Sequence, residues 1–308
     1  HLNIRNFMTF EELEIPTLKR VNLIAGKNNA GKTALLDAIR VLKARRINAV
    51  INNILAAREV FVPGDSNCYI HLFNRKGVGS EQVEINESII EIINFGSEDM
   101  NFAYYAKGGS EEEAILLDPN VVSTPLDDLI HVPYQANNEN LLRFWGNIDL
   151  TPKEDDVLQM LKETVQPNLV KFNISDQVRV RLKDTNSPVL LGTLGDGVRR
   201  ILHIALSLAN AQNNILLIDE IEMGLHYSAM EKLWQMIFKY AHAWDIQVFA
   251  TTHSQDAIRS FHYVASEEQY LEEAEYIRLQ VNRKGEHEAV IYDGQRLKDS
   301  IQLELEIR

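Results

Sequence analysis

The spacing of apolar residues separates the chain into strand-like and helix-like segments. Strand-like runs occupy 1–7, 10–15 and 21–25, and the third is followed by a glycine loop and an amphipathic helix pattern over about 31–46. Residues 66–118 contain the short apolar runs YIHLFN, SIIEIINF, NFAYYA and EAILLD, separated by Gly, Ser and Asn turns. Such runs predict an antiparallel sheet.

Helical periodicity dominates 136–168, where Thr151-Pro152-Lys153-Glu154 predicts a capping box with proline at the first helical position. Strand patterns return at 169–191. From Val198 a helix runs to about Asn210, followed by the strand ILLID, a helix near 228–243, the strand IQVFA and further elements of both kinds. This alternation predicts an α/β fold with a mixed or parallel core sheet.

We predict one domain over residues 1–308 that consists of three parts. The lobe 1–135 holds the glycine loop and an antiparallel β subdomain, residues 136–168 form a helical insertion, and the lobe 169–308 holds the later motifs. The chain shows no internal repeat, no low-complexity linker and no heptad run long enough for a coiled-coil arm. Its 308 residues, 45% of them hydrophobic, suffice for a sizeable core.

Composition narrows the setting in which the protein works. The single cysteine, Cys68, allows no internal disulfide and fits a reducing cytoplasm, where we expect a small buried residue rather than a reactive thiol. No apolar run approaches the roughly 20 residues of a membrane span. The chain begins at His1 with a strand pattern, which leaves little room for a signal peptide.

Charge is distributed unevenly. The net charge of −13 argues against indiscriminate nucleic-acid binding by the whole surface. Residues 1–60, however, carry ten Lys and Arg against five Asp and Glu. This basic segment could face phosphates, and Lys43, Arg45 and Arg46 are alternatively a solvated helix face.

The glycine loop carries the most specific chemistry. Residues 26–33 match the pattern G-x-x-x-x-G-K-[ST] between an apolar strand and a helix. Backbone N–H groups of such a loop cradle the phosphates of ATP, Lys32 reaches the β- and γ-phosphates, and the Thr33 hydroxyl binds Mg²⁺. The predicted cofactor-binding residues of this loop are Gly26, Asn28, Asn29, Ala30, Gly31, Lys32, Thr33 and Ala34.

Two later strands end in polar residues. Asp219 and Glu220 follow ILLI, and ligands of open α/β sheets bind at the carboxyl ends of strands. We predict that Asp219 holds Mg²⁺ through water and that Glu220 orients or deprotonates the attacking water. His253 ends the next strand, where it is either a structural histidine or a hydrogen-bond partner of the γ-phosphate. The predicted catalytic residues are therefore Glu220, His253 and Lys32.

These segments, together with LGTLGDGVRRILHIALSLA, resemble ABC-type ATPases of the SMC and RecF group, and most closely the OLD (overcoming lysogenization defect) type and the related predicted ATP/GTP phosphatases. The resemblance covers both ends of the chain, and the middle matches only in its alternation of sheet and helix. It implies an ABC-type head in which the signature loop of one subunit caps ATP on another. The residues of that loop here are Leu194, Gly195, Asp196 and Gly197.

The resemblance leaves some assignments open. The signature loop could instead be a plain glycine turn, and Met223–His226 would be the D-loop at the dimer interface. Glu222 is either a carboxylate near Mg²⁺ or a solvated helix-start residue. Gln135 is the candidate Q-loop metal ligand or else a surface loop residue. The family's arginine in the first loop is replaced here by Asn6-Phe7-Met8-Thr9-Phe10, which puts a phosphate or base contact there in doubt.

The resemblance implies a cytoplasmic Mg-dependent ATPase that forms homodimers or larger assemblies through ATP. No nuclease motif is visible, so a separate nuclease or toxin-like effector is expected, with anti-phage defence as the setting. DNA is a further candidate partner, and no membrane is involved. The alternative is an ATP-dependent scaffold or sensor that binds DNA or a partner while hydrolysis is incidental. Glu220→Gln separates these two hypotheses. A transporter subunit and a small P-loop kinase fit the motif spacing poorly.

Overall fold

The computed structural model describes residues 1–74, 82–93, 101–107, 114–121, 129–133, 138–185 and 187–302. The strands in these ranges are β1 (Leu2–Phe7), β2 (Phe10–Ile15), β3 (Val21–Ala25), β4 (Gln82–Ile85), β5 (Ser88–Ile93), β6 (Asn101–Ala106), β7 (Ile115–Leu116), β8 (Leu129–Val132), β9 (Leu169–Ile174), β10 (Val178–Leu182), β11 (Val189–Leu190), β12 (Ile215–Ile218), β13 (Gln247–Thr252), β14 (Ala274–Val281) and β15 (His287–Asp293). The helices are α1 (Lys32–Leu42), α2 (Ile47–Ala57), α3 (Asn138–Ile148), α4 (Pro152–Thr164), α5 (Asp196–Asn210), α6 (Met230–Ala243), α7 (Gln255–Ala265) and α8 (Gly294–Gln302).

Two compact units interleave along the chain. The first consists of His1–Leu18, Gly26–Asp128 and Arg278–Val290, and the second of Lys19–Ala25, Leu129–Ile277 and Ile291–Arg308. The three-part division predicted from the sequence, with boundaries near 135 and 168, stays a prediction.

The first unit contains the predicted antiparallel sheet, with strand order β2-β1-β4-β5-β6-β7. Leu2 and Ile4 of β1 and Leu13 and Ile15 of β2 are buried, and Ile4 lies opposite Leu13 in the register. Helix α1 ends four residues before the predicted Arg46, and α2 was not predicted. The carboxylate of Asp37 in α1 joins the two helices, because it accepts hydrogen bonds from Arg40 in α1 and from Arg58 just after α2.

The strand predicted for YIHLFN is wrong, because Ser66–Leu72 forms a 3-10 helix. The Asp65 side chain begins it by accepting the backbone N–H of Asn67 at 2.9 Å. A 3-10 helix has three residues per turn, so Tyr69 and Leu72 both face the core. The Tyr69 hydroxyl donates to Asn52 at 2.8 Å, a long-range contact that local periodicity does not reveal.

Another sheet has the order β15-β14-β3-β13-β12-β8, and its strands β3, β13, β12 and β8 belong to the second unit. Neighbours among β3, β13, β12 and β8 are parallel, so this part of the sheet forms the expected parallel core. The apolar runs of β3, β12 and β13 are almost wholly buried, as in sheets covered on both faces. The α/β prediction is confirmed.

The helical pattern over 136–168 is confirmed by α3 and α4, and β9, β10 and β11 form the next antiparallel sheet. The predicted capping box is wrong. Pro152 does begin α4, but the Thr151 side chain donates to Ile148 O instead of accepting a helix N–H, and Glu154 accepts from Leu150 N. The preceding turn uses the groups that a capping box would need.

Candidate active site

Three parallel strands bring the sequence motifs to one edge of the sheet in the second unit. Ala25 at the end of β3 pairs with Thr252 at the end of β13, and Ile218 at the end of β12 pairs with Ala250. β3 is followed directly by Gly26, β13 by His253 and β12 by Asp219. The sheet therefore places the start of the glycine loop on the strand next to the one that carries the histidine.

The glycine loop curls around the ammonium group of Lys32. Lys32 Nζ donates to the carbonyl oxygens of Gly26 at 2.9 Å and Lys27 at 3.2 Å. Asn29 and Gly31 have φ angles of 64° and 95°, in the left-handed region that such a wrapped loop requires. The side chains of Asn28, Asn29 and Thr33 are exposed, whereas Ala30 and Ala34 are buried.

Gly26 and Gly31, the two glycines that the motif requires, are also needed for a steric reason. A Cβ built on Gly31 would lie 2.6 Å from the ring of Phe10 and 2.8 Å from Thr9 Cγ2. A Cβ on Gly26 would lie 2.6 Å from the carbonyl oxygen of Leu279. The Thr9 hydroxyl is in turn 3.1 Å from His287 Nε2. The loop is thus packed against the β1–β2 turn and the backbone of β14.

Asp219 lies directly after β12 and is 6% exposed. Thr251 Oγ1 donates to its Oδ1 at 2.5 Å and accepts the backbone N–H of Glu220 at 2.9 Å. Thr251 was missed by sequence reasoning. Its hydroxyl is fully buried in β13 and therefore needs a polar partner inside the fold, a need that the sequence alone does not reveal.

Glu220, Glu222 and His253 form a cluster beside this aspartate. His253 Nδ1 is 3.2 Å from Glu222 Oε1 and 3.7 Å from Glu220 Oε1. The Glu220 backbone adopts φ 47°, a strained value for a residue with a side chain, and its carboxylate is 30% exposed. The side chain of Glu222 is only 14% exposed, so the prediction of a solvated helix-start residue is wrong.

Arg200 supports the same edge from helix α5. Its guanidinium donates to the carbonyl oxygens of Pro133 at 2.7 Å, Asp219 at 2.6 Å and Glu220 at 3.2 Å. Burial lowers its pKa to about 10, although the Asp219, Glu222 and Glu220 carboxylates act in the opposite direction. At neutral pH it is therefore a buried cation that fixes the backbone bearing both acidic residues. Its role was not predicted.

The signature segment forms a short 3-10 turn, Leu191–Leu194, and then a sharp bend at Gly195 with φ 101°. Helix α5 begins at Asp196, two residues earlier than predicted, and both Gly195 and Asp196 are exposed. A Cβ on Gly197 would lie 3.1 Å from the carbonyl oxygen of Gly224. The first turn of α5 therefore packs on the predicted D-loop.

Gln135, the predicted Q-loop residue, lies outside the described residues. Within the described ranges, none of the helices has the length and apolarity that crossing a bilayer requires.

A glycine loop between a buried strand and a helix, with Asp and Glu at the end of a parallel strand in the same sheet, defines a P-loop nucleoside triphosphatase. Comparisons with known proteins agree. Residues 1–115 match the family model "AAA ATPase domain", and residues 149–259 match "AAA domain, putative AbiEii toxin, Type IV TA system". An "ATP/GTP phosphatase" of Helicobacter pylori is 23% identical, over 87% of this chain and 89% of its own length.

More distant relatives point the same way. A stretch of 42 residues is 45% identical to the DNA replication and repair protein RecF of Nitrosococcus oceani and covers 14% of this chain and 12% of that protein. An SMC head bound to the C-winged helix domain of ScpA superposes with a TM-score of 0.57 over 98% of both chains, at 12% identity. The SMC head domain from Thermotoga maritima gives 0.51 over 95% of this chain and 98% of its own, also at 12%. The chain is a P-loop ATPase, and its fold is similar to that of the SMC heads.

Proposed function

We propose that this ATPase is Mg-dependent, that two copies close around ATP, and that the closed assembly controls a separate nuclease or toxin-like effector. The observation that carries the proposal is the group of Asp219, Glu220 and His253 at the ends of adjacent parallel strands, since such a group serves hydrolysis rather than binding alone. We place the protein among the OLD-type ATPases on the motifs quoted above.

The proposed roles follow from the chemistry of each side chain. Lys32 and the backbone N–H groups of the glycine loop hold the phosphates of ATP. Glu220 orients or deprotonates the attacking water, and its 30% exposure leaves the carboxylate accessible to that water. His253 hydrogen-bonds the γ-phosphate.

The donor set fits Mg²⁺. Asp219 supplies a carboxylate and Thr33 a hydroxyl, which are the oxygen ligands that this ion prefers, and both would hold it. No group of three or more His, Cys, Asp or Glu side chains that could hold a metal occurs among the described residues. Mg²⁺ keeps several waters and takes its remaining ligands from substrate phosphates, so few protein ligands are needed. When bound, the ion neutralises charge on the β- and γ-phosphates.

Closure around ATP is supported by the surface near the signature loop. Among the residues that the structure describes, a Cβ built on Gly195 would meet no atom within 4 Å, so this side of the loop is open to an incoming ligand. The positive end of helix α5 begins there, which suits a phosphate. Nearby, Met223 in the predicted D-loop and Tyr227 just after it are 40% and 64% exposed and offer apolar area to a second copy.

Control of an effector is supported by the relatives. One matching family model names a toxin system, and one SMC head neighbour is bound to a partner protein, ScpA. We therefore propose anti-phage defence, or another DNA-related process, as the setting.

Light scattering on Glu220→Gln with and without Mg-ATP tests the assembly. We expect the mass to double with ATP, because nucleotide is retained when hydrolysis is blocked. Adding Gly195→Glu should abolish the shift, whereas Gly64→Glu, at a glycine whose φ of 83° is also positive and whose Cβ would come no nearer than 3.7 Å to Asn120 Oδ1, should not. A constant monomer would overturn closure around ATP. Asp219→Asn and removal of Mg²⁺ should each suppress ATP turnover, and turnover without divalent ions would overturn the proposed metal dependence.

A further inference from the structure

A single carboxylate oxygen holds the segment that carries His253. Glu222 Oε1 accepts the backbone N–H groups of His253 at 3.0 Å and Ser254 at 3.1 Å, and it also lies 3.2 Å from His253 Nδ1. Glu222 follows β12 and His253 follows β13, so this oxygen joins the ends of two neighbouring strands.

The same contact fixes the start of the next helix. The Ser254 side chain caps α7 by accepting the backbone N–H of Ala257 at 3.3 Å, and the Ser254 N–H also donates to Thr252 Oγ1 at 3.0 Å. Loss of the Glu222 oxygen would therefore remove this acceptor from the His253 N–H and leave the Ser254 N–H with Thr252 Oγ1, at the point where β13 turns into α7. His253 lies within that turn.

We infer that Glu222 is the positioning residue for His253, and that it selects which ring nitrogen faces the substrate. The His253 side chain is 47% exposed, so packing alone does not fix its ring. A proton on Nδ1 is held by Glu222, which leaves Nε2 as the nitrogen that meets the γ-phosphate. The inference rests on the proposed role of His253 in hydrolysis.

Glu222 and Glu220 therefore have different proposed roles. Glu222 is the more buried of the two, since its Oε1 accepts backbone donors and its Oε2 is shielded from solvent, so it is poorly placed to act on the attacking water. Glu220 lies farther from the ring, at 3.7 Å, and is more exposed, which suits a group that acts on water. A catalytic histidine oriented by a buried carboxylate is a common arrangement in hydrolases. Here Glu222, the orienting carboxylate, lies two residues after Glu220, the carboxylate proposed to act on water.

The test compares Glu222→Ala and Glu222→Gln with the wild type. Both lack the negative charge, but only Gln keeps an oxygen for the two backbone donors. Because small displacements of a catalytic group cost large factors in rate, we expect Glu222→Ala to lower kcat roughly 10- to 100-fold and Glu222→Gln to lower it less. Affinity for a non-hydrolysable ATP analogue should change less than about threefold. Glu231→Gln, an exposed carboxylate on α6, is the matched control and should leave kcat unchanged.

Nitrogen-15 NMR of histidine-labelled protein gives a readout that a purely structural role would not move. The His253 signals, assigned with His253→Ala, should report a proton on Nδ1 in the wild type and a shift toward the Nε2-protonated form in Glu222→Ala. If Glu222→Ala does not fold, the same comparison is made with Glu222→Gln.

The outcomes separate this inference from the proposed function. If Glu220→Gln and His253→Ala are inactive while both Glu222 variants keep wild-type kcat and tautomer, the positioning role is overturned and the proposed function stands. If the ATP-analogue affinity falls as much as kcat, Glu222 acts on binding and the positioning role is again overturned. If Glu220→Gln and His253→Ala keep full turnover, the proposed function fails first.

Discussion

His203 makes the stability of the second unit sensitive to acid. The residue lies on α5 with its ring fully buried, and neither ring nitrogen has a hydrogen-bond partner in the part of the chain that the structure describes. Burial, acting in the same direction as the nearby charges of Arg200 and Arg199, lowers the pKa of His203 to about 4. The folded protein therefore keeps this imidazole neutral well below the pH at which an unfolded chain protonates it.

The magnitude follows from proton linkage. An unfolded histidine titrates near pH 6.5, so between pH 6.5 and 4 the unfolded state binds a proton that the folded state does not. The free energy of unfolding therefore falls as the pH is lowered through this window. With a folded pKa of about 4, the loss is about 2 kcal/mol at pH 5 and approaches about 3 kcal/mol below pH 4.

His203→Leu removes the titration while keeping a side chain of similar size. Urea unfolding followed by tryptophan fluorescence at pH 7.5 and pH 5 measures the effect. The wild type should lose about 2 kcal/mol more than the variant between the two pH values. Ser207→Ala is the matched control, because it removes another fully buried, unpartnered polar atom from α5 that does not titrate. Equal pH dependence in the wild type and His203→Leu would refute the reasoning.

Three further predictions concern other buried groups. Gly31→Ala should raise the Kd for ATP at least tenfold, because its Cβ meets the Phe10 ring, whereas Gly192→Ala, in open space, should leave Kd unchanged in a titration. Arg200→Met should lower the free energy of unfolding in urea by about 3 kcal/mol, because three carbonyl oxygens lose their donor, and an unchanged midpoint would contradict this. Cys68 is 4% exposed and burial raises the pKa of its thiol, so a thiol reagent should label it only after unfolding.

Local patterns in the sequence predict much of the fold. β3, β12 and β13 are apolar runs bounded by clear turns, and each lies within a residue or two of its expected position. β4 was missed because the four residues QVEI carry only two apolar side chains, and their place beside β1 depends on a partner far away in sequence. The helix α2 was missed for a different reason, since its pattern directly continues that of α1 across a short break.

In the candidate site, too, local patterns predicted some residues, whereas contacts between distant residues were missed. The sequence predicts the glycine loop and Asp219 because a fixed spacing encodes the chemistry. Arg200 and Thr251 escaped, because one donates to backbone carbonyls and the other pairs across two strands, and neither contact leaves a local signature. Glu222 was recognised as a carboxylate of interest, but only the parallel pairing of the strands reveals that it faces His253.

The pairing of β3 with β13 also has a consequence for biosynthesis. The ribosome completes VNLIA early, but the strand beside it in the sheet begins at Gln247, more than 200 residues later. At typical elongation rates of about 5–20 residues per second, this apolar segment waits roughly 10–40 seconds for that neighbour. During that time it exposes an unpaired strand edge, which is the form of a chain most prone to aggregation. The protein's yield in a cell should therefore depend on chaperone capacity and on translation speed between residues 25 and 247.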